Sequence, residues 1–253
     1  MKKKLSIVAL IPARSGSKRI KDKNIKLFNG HPLIAYTISS AFNSKVFNDV
    51  IVSTDSEKYK NIAEHYGASV LLRPKEISGD NSPDIQWVRH AMDQLKKKGK
   101  EYELFSILRP TSPFRKSKTI LRALDVFYKS KNSDSLRAVE ICSQHPAKMW
   151  YNVDNSIQPV LVGDNNGVPW HSCQYSSLPE IYVQNASLEI AKTSMMYKSN
   201  SISGKNIIPF ITIDSEGYDI NKEKAWVYAQ YLTRKNKQIF PNINIEHYRN
   251  LKK

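Results

Sequence analysis

Leu5-Ser6-Ile7-Val8-Ala9-Leu10-Ile11-Pro12-Ala13-Arg14-Ser15-Gly16-Ser17-Lys18-Arg19 runs from a short apolar stretch straight into small and basic residues. An apolar run of this length, closed by a proline, reads as a buried strand of a parallel sheet. Ligands of open α/β sheets bind at the carboxyl ends of such strands, which is where the basic loop begins. Ser15-Gly16-Ser17 lets backbone N–H groups come close to an anion, and Arg14, Lys18 and Lys23 add charge that suits a polyphosphate. Neither the Walker spacing nor the Gly-x-Gly-x-x-Gly fingerprint is present. On spacing alone, a phosphate cradle and a solvated basic loop both fit.

Outward from this stretch, β-branched runs alternate with amphipathic ones, the pattern of strands joined by crossover helices. The first strand covers Leu5 to Ile11, and others are expected at Asp49 to Ser53, Ser69 to Leu72, Leu104 to Leu108 and Leu136 to Ile141. Helices are expected at Pro32 to Phe42, Glu57 to Tyr66, Pro83 to Leu95 and Lys118 to Tyr128. The fold class is therefore α/β with a doubly wound, mostly parallel sheet. From about His145 to Ser203 the chain turns polar and turn-rich, and reads as an excursion from the sheet. Strands at Ser187 to Ala191 and Ile207 to Ile213 and a helix at Lys222 to Leu232 bring it back.

The chain has 253 residues and 40% hydrophobic content, enough for one sizeable core. The segment after the basic start Met1 to Lys4 imitates a signal peptide but has no small-residue cleavage site, so a cytoplasmic location is expected. Cys142 and Cys173 form neither a disulfide framework nor a zinc pattern. The net charge of +16 raises nucleic-acid binding as a rival function. The charge is spread along the chain, with runs at Lys2 to Lys4, Lys96 to Lys98 and Arg234 to Lys253, and no recognition helix, RNA-binding strand signature or zinc pattern accompanies it. Neither a nucleic-acid nor a membrane partner is expected.

Ile11-Pro12-Ala13-Arg14-Ser15-Gly16-Ser17-Lys18, continued by Lys23-Asn24-Ile25, resembles the nucleotide-binding signature of the CMP-sialic acid synthetases (acylneuraminate cytidylyltransferases) and their CMP-pseudaminate and CMP-legionaminate relatives. Val52-Ser53-Thr54-Asp55, Leu72-Arg73-Pro74, Pro110-Thr111-Ser112-Pro113, His145 to Trp150, Leu178-Pro179 with Gln184-Asn185, and Asp219-Ile220 follow in the order of that family's further motifs. The resemblance spans nearly the whole chain. It implies a three-layer α/β domain of the nucleotide-diphosphosugar transferase type over 1–253, with an excursion at about 142–190 that forms much of a homodimer interface. It also implies transfer of CMP from CTP to a nonulosonic or related sugar acid, with release of pyrophosphate. A sugar 1-phosphate acceptor, with GTP as donor, is the nearest alternative.

By the same resemblance, Arg14, Ser15, Gly16, Ser17, Lys18 and Lys23 would hold the triphosphate, with Asn24, Arg73 and Ser82 near the base. Thr111, Ser112, Lys148, Gln184 and Asn185 would face the sugar. Asp219 matches the first carboxylate of the family's Asp-x-Asp pair and would bind Mg²⁺, because attack at a phosphorus among anionic oxygens needs charge neutralised. The second position is Asn221, an amide without charge, so Asp214 is a candidate helper. Arg109 stands where sialic acid enzymes carry Gln, and Tyr175-Ser176 where they carry Arg-Gln, so the acceptor's anionic group is expected to be held from another side. Several residues keep a plainer reading: Asp55 and Asp80 as helix caps, Asn221 as a cap on the helix after it, and Lys148 as a snorkelling surface residue.

Overall fold

The computed structural model describes residues 5–236 and 238–248, so the basic start and the last five residues lie outside the described residues. In chain order the elements begin with β1 (Ile7–Pro12), β2 (Leu27–Phe28), β3 (His31–Pro32), α1 (Leu33–Ser44), β4 (Asp49–Thr54), α2 (Glu57–His65) and β5 (Ser69–Leu72). There follow α3 (Asp84–Lys97), β6 (Leu104–Ile107), α4 (Ser117–Lys129) and β7 (Ser135–Ile141). Short strands β8 (Trp150–Val153), β9 (Ser156–Pro159), β10 (Asp164–Asn165) and β11 (Val168–Pro169) precede β12 (Tyr182–Lys192), α5 (Thr193–Ser199), β13 (Ile207–Ile211) and α6 (Glu223–Lys235).

Seven strands form one sheet in the order β13-β7-β12-β6-β1-β4-β5. β1 pairs in parallel with β4 and β6, β4 in parallel with β5, and β12 runs antiparallel to β6. The chain winds outward from β1 through β4 to β5 and then crosses back to β6 on the other side of β1. That reversal opens a crevice at the carboxyl end of β1.

The pleat of β1 divides the core. Ile7, Ala9 and Ile11 belong to a cluster with Ile34 and Ile38 of α1, Ile62 of α2 and Ile120, Leu124 and Phe127 of α4. Val8 and Leu10 belong to another with Trp87, Val88, Met92 and Leu95 of α3 and Met195 and Met196 of α5. Period-2 alternation thus sends successive side chains to opposite helix layers, which makes three layers. A third cluster joins Ile20, Phe28, Leu33, Tyr36 and Phe114 to Ile220, Trp226 and Ala229. It pins the basic loop through Ile20, and the 219–221 segment through Ile220, to the same body.

The chain divides into two compact units, one of 1–138 with 185–253 and one of Val139–Gln184. The second unit holds hairpin β8–β9, whose register pairs Trp150 with Pro159 and Val153 with Ser156, and the shorter pair β10–β11. In it Lys148 Nζ donates to the carbonyls of His171 (2.7 Å) and Cys173 (2.5 Å), and His145 Nε2 lies 2.9 Å from the Pro179 carbonyl. The sequence reading missed these hairpins and α5, started β12 at Ser187 instead of Tyr182, and ran β13 to Ile213. Turn residues and a polar surface hide a period when a strand spans only two to four residues.

Arg115 is fully buried, and no ion pair among the described residues includes it. Its Nη1 donates to the Ser187 carbonyl and its Nη2 to Thr37 Oγ1 (2.9 Å), and both reach the Arg109 carbonyl (3.3 and 3.4 Å). One side chain therefore joins the 109–115 segment to β12 and α1, and burial pulls its pKa below the ordinary arginine value. Removing it would leave those carbonyls without donors in a dry core. Arg115→Ala is expected to lower stability by about 3 kcal/mol, seen as a depressed thermal midpoint. An unchanged midpoint would show that these carbonyls find other donors.

Candidate active site

The basic loop is tied to the sheet from below. Ala13 N donates to the Ser53 carbonyl (2.9 Å), and Asp55 accepts from both the backbone N (2.6 Å) and the hydroxyl (2.9 Å) of Ser15. Asn24, 6% exposed, donates to the Arg14 carbonyl (3.4 Å), and Tyr59 donates to Asp22 (3.1 Å). Gly16 takes φ +72°, a left-handed turn with open space where a Cβ would point. Asp55 therefore neither caps α2, a role Ser56 fills by accepting from Tyr59 N, nor lines the cleft. Ser15's two donors are both engaged by Asp55.

The crevice is a cleft of about 450 Å³ lined by Arg14, Ser17, Lys23, Asn24, Arg73, Ser82, Arg109, Thr111, Asp219 and Asn221, together with Pro12, Asp80, Asp84 and Trp87. An adjoining cleft of about 450 Å³ shares Arg14, Ser17, Lys23, Asp80 and Asn221, and adds Lys18 and Arg19. The ends of β1, β5 and β6 thus bring together most of the residues singled out from sequence. Gly16 lies on the exposed turn of the loop. Ser112 is buried at 1% exposure, and Asn185 is engaged with Thr212 (2.8 Å) and Ser187 N (3.1 Å). Lys148 and Gln184 belong to the second unit.

Electrostatics sort the cations. Arg73, 7% exposed, donates to the hydroxyl (3.1 Å) and carbonyl (2.8 Å) of Ser53 and lies over the Trp87 ring at 5.3 Å; burial draws its pKa down to about 10. Lys23 donates to Asn221 Oδ1 (3.0 Å), and its pKa is lowered, first by burial and then by Arg19 and Arg14, with Asp219 opposing. Arg109 is held by Asp84 (2.6 Å) and Glu189 (2.9 Å), and Arg137 lies 3.1 Å from Glu189, so two arginines balance two carboxylates. Burial would lower the Arg109 pKa, but Asp84 and then Glu189 outweigh it and raise it. Its guanidinium reaches the cleft wall with its charge already matched.

Asp219 Oδ2 accepts from Asn221 Nδ2, whereas its Oδ1 is buried with no partner. Ile220 N donates to the Thr111 carbonyl (2.8 Å), which sets this segment against the 109–115 loop. Asp214 sits exposed in a turn at φ +50° and does not line the cleft. Asn221 is taken up by Lys23 and Asp219 and makes no cap on α6, whose N-cap position is Lys222. Two aspartates whose partners the sequence reading missed matter here: Asp84, which it did not single out and which closes the Arg109 network, and Asp80, which it read as a helix cap and which is paired with Arg14 and Lys18. Neither carries a local signal, because their partners lie 25 and more residues away in the chain.

The family model described as Cytidylyltransferase matches residues 8–159. An N-acylneuraminate cytidylyltransferase of Escherichia coli O18:K1:H7 is 46% identical over 121 residues, 48% of this chain and 28% of that protein. A CMP-N,N'-diacetyllegionaminic acid synthase of Legionella pneumophila is 32% identical over 92% of this chain and 99% of that one. Among solved structures, CMP:2-keto-3-deoxy-manno-octonic acid synthetase complexed with CTP superimposes with a TM-score of 0.67 at 13% identity, covering 91% of this chain and 99% of that one, which speaks to the fold alone. Fold and sequence place the chain among the nucleotidyltransferases. It belongs to the cytidylyltransferase family.

A lysine whose pKa is held down by burial and like charges should see it rise when an anion arrives. In the alkaline range where this ammonium titrates, nucleotide binding is therefore expected to take up protons, read as a dependence of the calorimetric enthalpy on the buffer's ionisation enthalpy. Lys23→Met should abolish the uptake. Proton release, or uptake unaffected by that change, would contradict the assignment.

Proposed function

We propose that the cleft binds CTP and an acidic sugar of the nonulosonic class, and transfers CMP to the sugar's hydroxyl with release of pyrophosphate. The observation that carries this reading is the convergence of Arg14, Lys18, Lys23 and Arg73 at the strand ends, beside a carboxylate with one unpartnered buried oxygen. The family assignment and the named activities of the relatives support it.

In this reading Arg14, Lys18 and Lys23, with Ser17 and the turn at Gly16, hold the triphosphate and take the charge that develops on departing pyrophosphate. Asn24, Arg73 and Ser82 border the base. Thr111 and the wall fixed by Arg109 orient the sugar, with Ser112 and Asn185 supporting that wall. The sugar hydroxyl attacks the α-phosphorus in line, and pyrophosphate leaves from the opposite side. No covalent enzyme intermediate is needed, so acceleration comes from positioning and preorganised charge.

Asp219 Oδ1 suits a divalent cation that keeps most of its ligands from phosphate and water, as Mg²⁺ does with one or two carboxylates. Asp219 would hold it, with Asn221 beside it; when bound, the ion neutralises charge on the phosphate oxygens. Because the Arg109 charge is matched, the acceptor's acid group meets other donors. We further propose a homodimer through the second unit, whose hairpin exposes Trp150, Tyr151, Val153 and Ile157.

A pyrophosphate-release screen crossing nucleoside triphosphates with nonulosonic acids and sugar 1-phosphates tests the reading directly. CTP with a nonulosonic acid should give the highest kcat/KM. Arg14→Ala and Lys18→Ala should each cost about 2–4 kcal/mol in transition-state stabilisation while the fold is kept, and near-normal turnover in both would sink the loop assignment. Asp219→Asn should remove most activity and weaken Mn²⁺ binding seen by electron paramagnetic resonance, whereas Asn221→Asp should tighten it. Sedimentation should give a dimer that Ile157→Asp weakens; a monomer at all concentrations would dismiss the interface.

A further inference from the structure

Asp80 does not cap α3: Pro83 occupies that position and no side chain caps it. Its carboxylate instead spans the two cations of the basic loop, Oδ1 at 2.5 Å from Arg14 Nη2 and Oδ2 at 2.5 Å from Lys18 Nζ. Asp80 also lines both adjoining clefts, so it stands inside the space a ligand would fill. The hydrogen bonds from Lys18 and then Arg14 hold its carboxyl below the usual carboxylate range, and it remains ionised through neutral pH.

A phosphate oxygen that approaches the same guanidinium and ammonium meets this carboxylate at like-charge contact distance. Keeping both anions there costs repulsion that the two shared cations offset only in part. One of the two must give way. Asp80 sits between Gly79 and Asn81 on a turn of small and polar residues, Ser78 to Pro83, which the two ion pairs join to the basic loop.

We propose that Asp80 is an internal anion exchanged for the ligand's phosphates: it holds Arg14 and Lys18 ready in the empty protein, yields them to the triphosphate, and retakes them as pyrophosphate departs. This rests on the reading of the cleft as a phosphate site. Exchange weakens the grip on both triphosphate and pyrophosphate and speeds departure of the product, and it involves no bond making at Asp80. An ordinary loop-shaping role for Asp80 predicts the opposite sign, because loss of the carboxylate would then disorder the donors and weaken every phosphate ligand.

The test is calorimetric titration of inorganic pyrophosphate and tripolyphosphate into the whole protein at fixed ionic strength, comparing wild type with Asp80→Asn and Asp80→Ala. Both variants should keep the wild-type melting curve and bind pyrophosphate about three- to tenfold more tightly, the range expected for removal of one or two exposed competing ion pairs. Pyrophosphate should become a correspondingly stronger inhibitor of turnover. Unchanged or weaker binding in both variants overturns the exchange alone. Failure of wild type and variants to bind either anion overturns the phosphate reading itself, and the exchange with it.

Discussion

Arg14, Lys18, Lys23 and Arg73 bring like charges into one end of the sheet, and such an arrangement stands only when the backbone beneath it is held from elsewhere. Asp55 supplies that hold. Its two oxygens accept the backbone N–H and hydroxyl of Ser15, so the loop is fastened to the end of β4 by a carboxylate that does not line the cleft. Ile20 buried below and Asn24 bonded back to the Arg14 carbonyl complete the fastening. On this fixed backbone Arg14 and Lys18 meet Asp80, Lys23 meets Asn221 and Arg73 meets Ser53. The cations are therefore oriented before a ligand arrives, which is what stabilisation by preorganised charge requires.

The segment after β6 follows similar logic with a buried cation. Arg115 supplies donors to the Arg109 and Ser187 carbonyls, and the Thr111 carbonyl accepts from Ile220 N. An irregular loop in a dry layer has carbonyls that no ladder satisfies, and one arginine with five donors answers several of them at once. Arg109 then meets Asp84 and Glu189, with Arg137 completing the balance. A glutamine at position 109 would not need those carboxylates. Arg109 is therefore part of a wider network, which builds this wall of the cleft without adding free charge to it.

Much of this was legible in the sequence, for a reason that differs by element. Buried strands such as β1 and β4 carry continuous apolar runs, and helices α2 to α4 carry a clear stripe, so their periods survive in one dimension. The basic loop was legible because small and cationic residues directly follow a strand. What stayed hidden was pairing across distance: Asp80 with Arg14, Asp84 with Arg109, Asp55 with Ser15. Each of those aspartates sits just before or at the first turn of a helix, where an acidic residue has a sufficient local reason to be. Local sufficiency concealed the long-range role. The short hairpins of the second unit escaped because strands of two to four half-exposed residues hold too few positions to display alternation.

A crystal structure of the protein soaked with CTP and Mg²⁺ is the most direct measurement. Triphosphate density along Ser17 and the turn at Gly16, within hydrogen-bond reach of Arg14, Lys18 and Lys23, with the cation on Asp219, is the result this account requires. Nucleotide bound elsewhere, or triphosphate that leaves those three cations untouched, would contradict it.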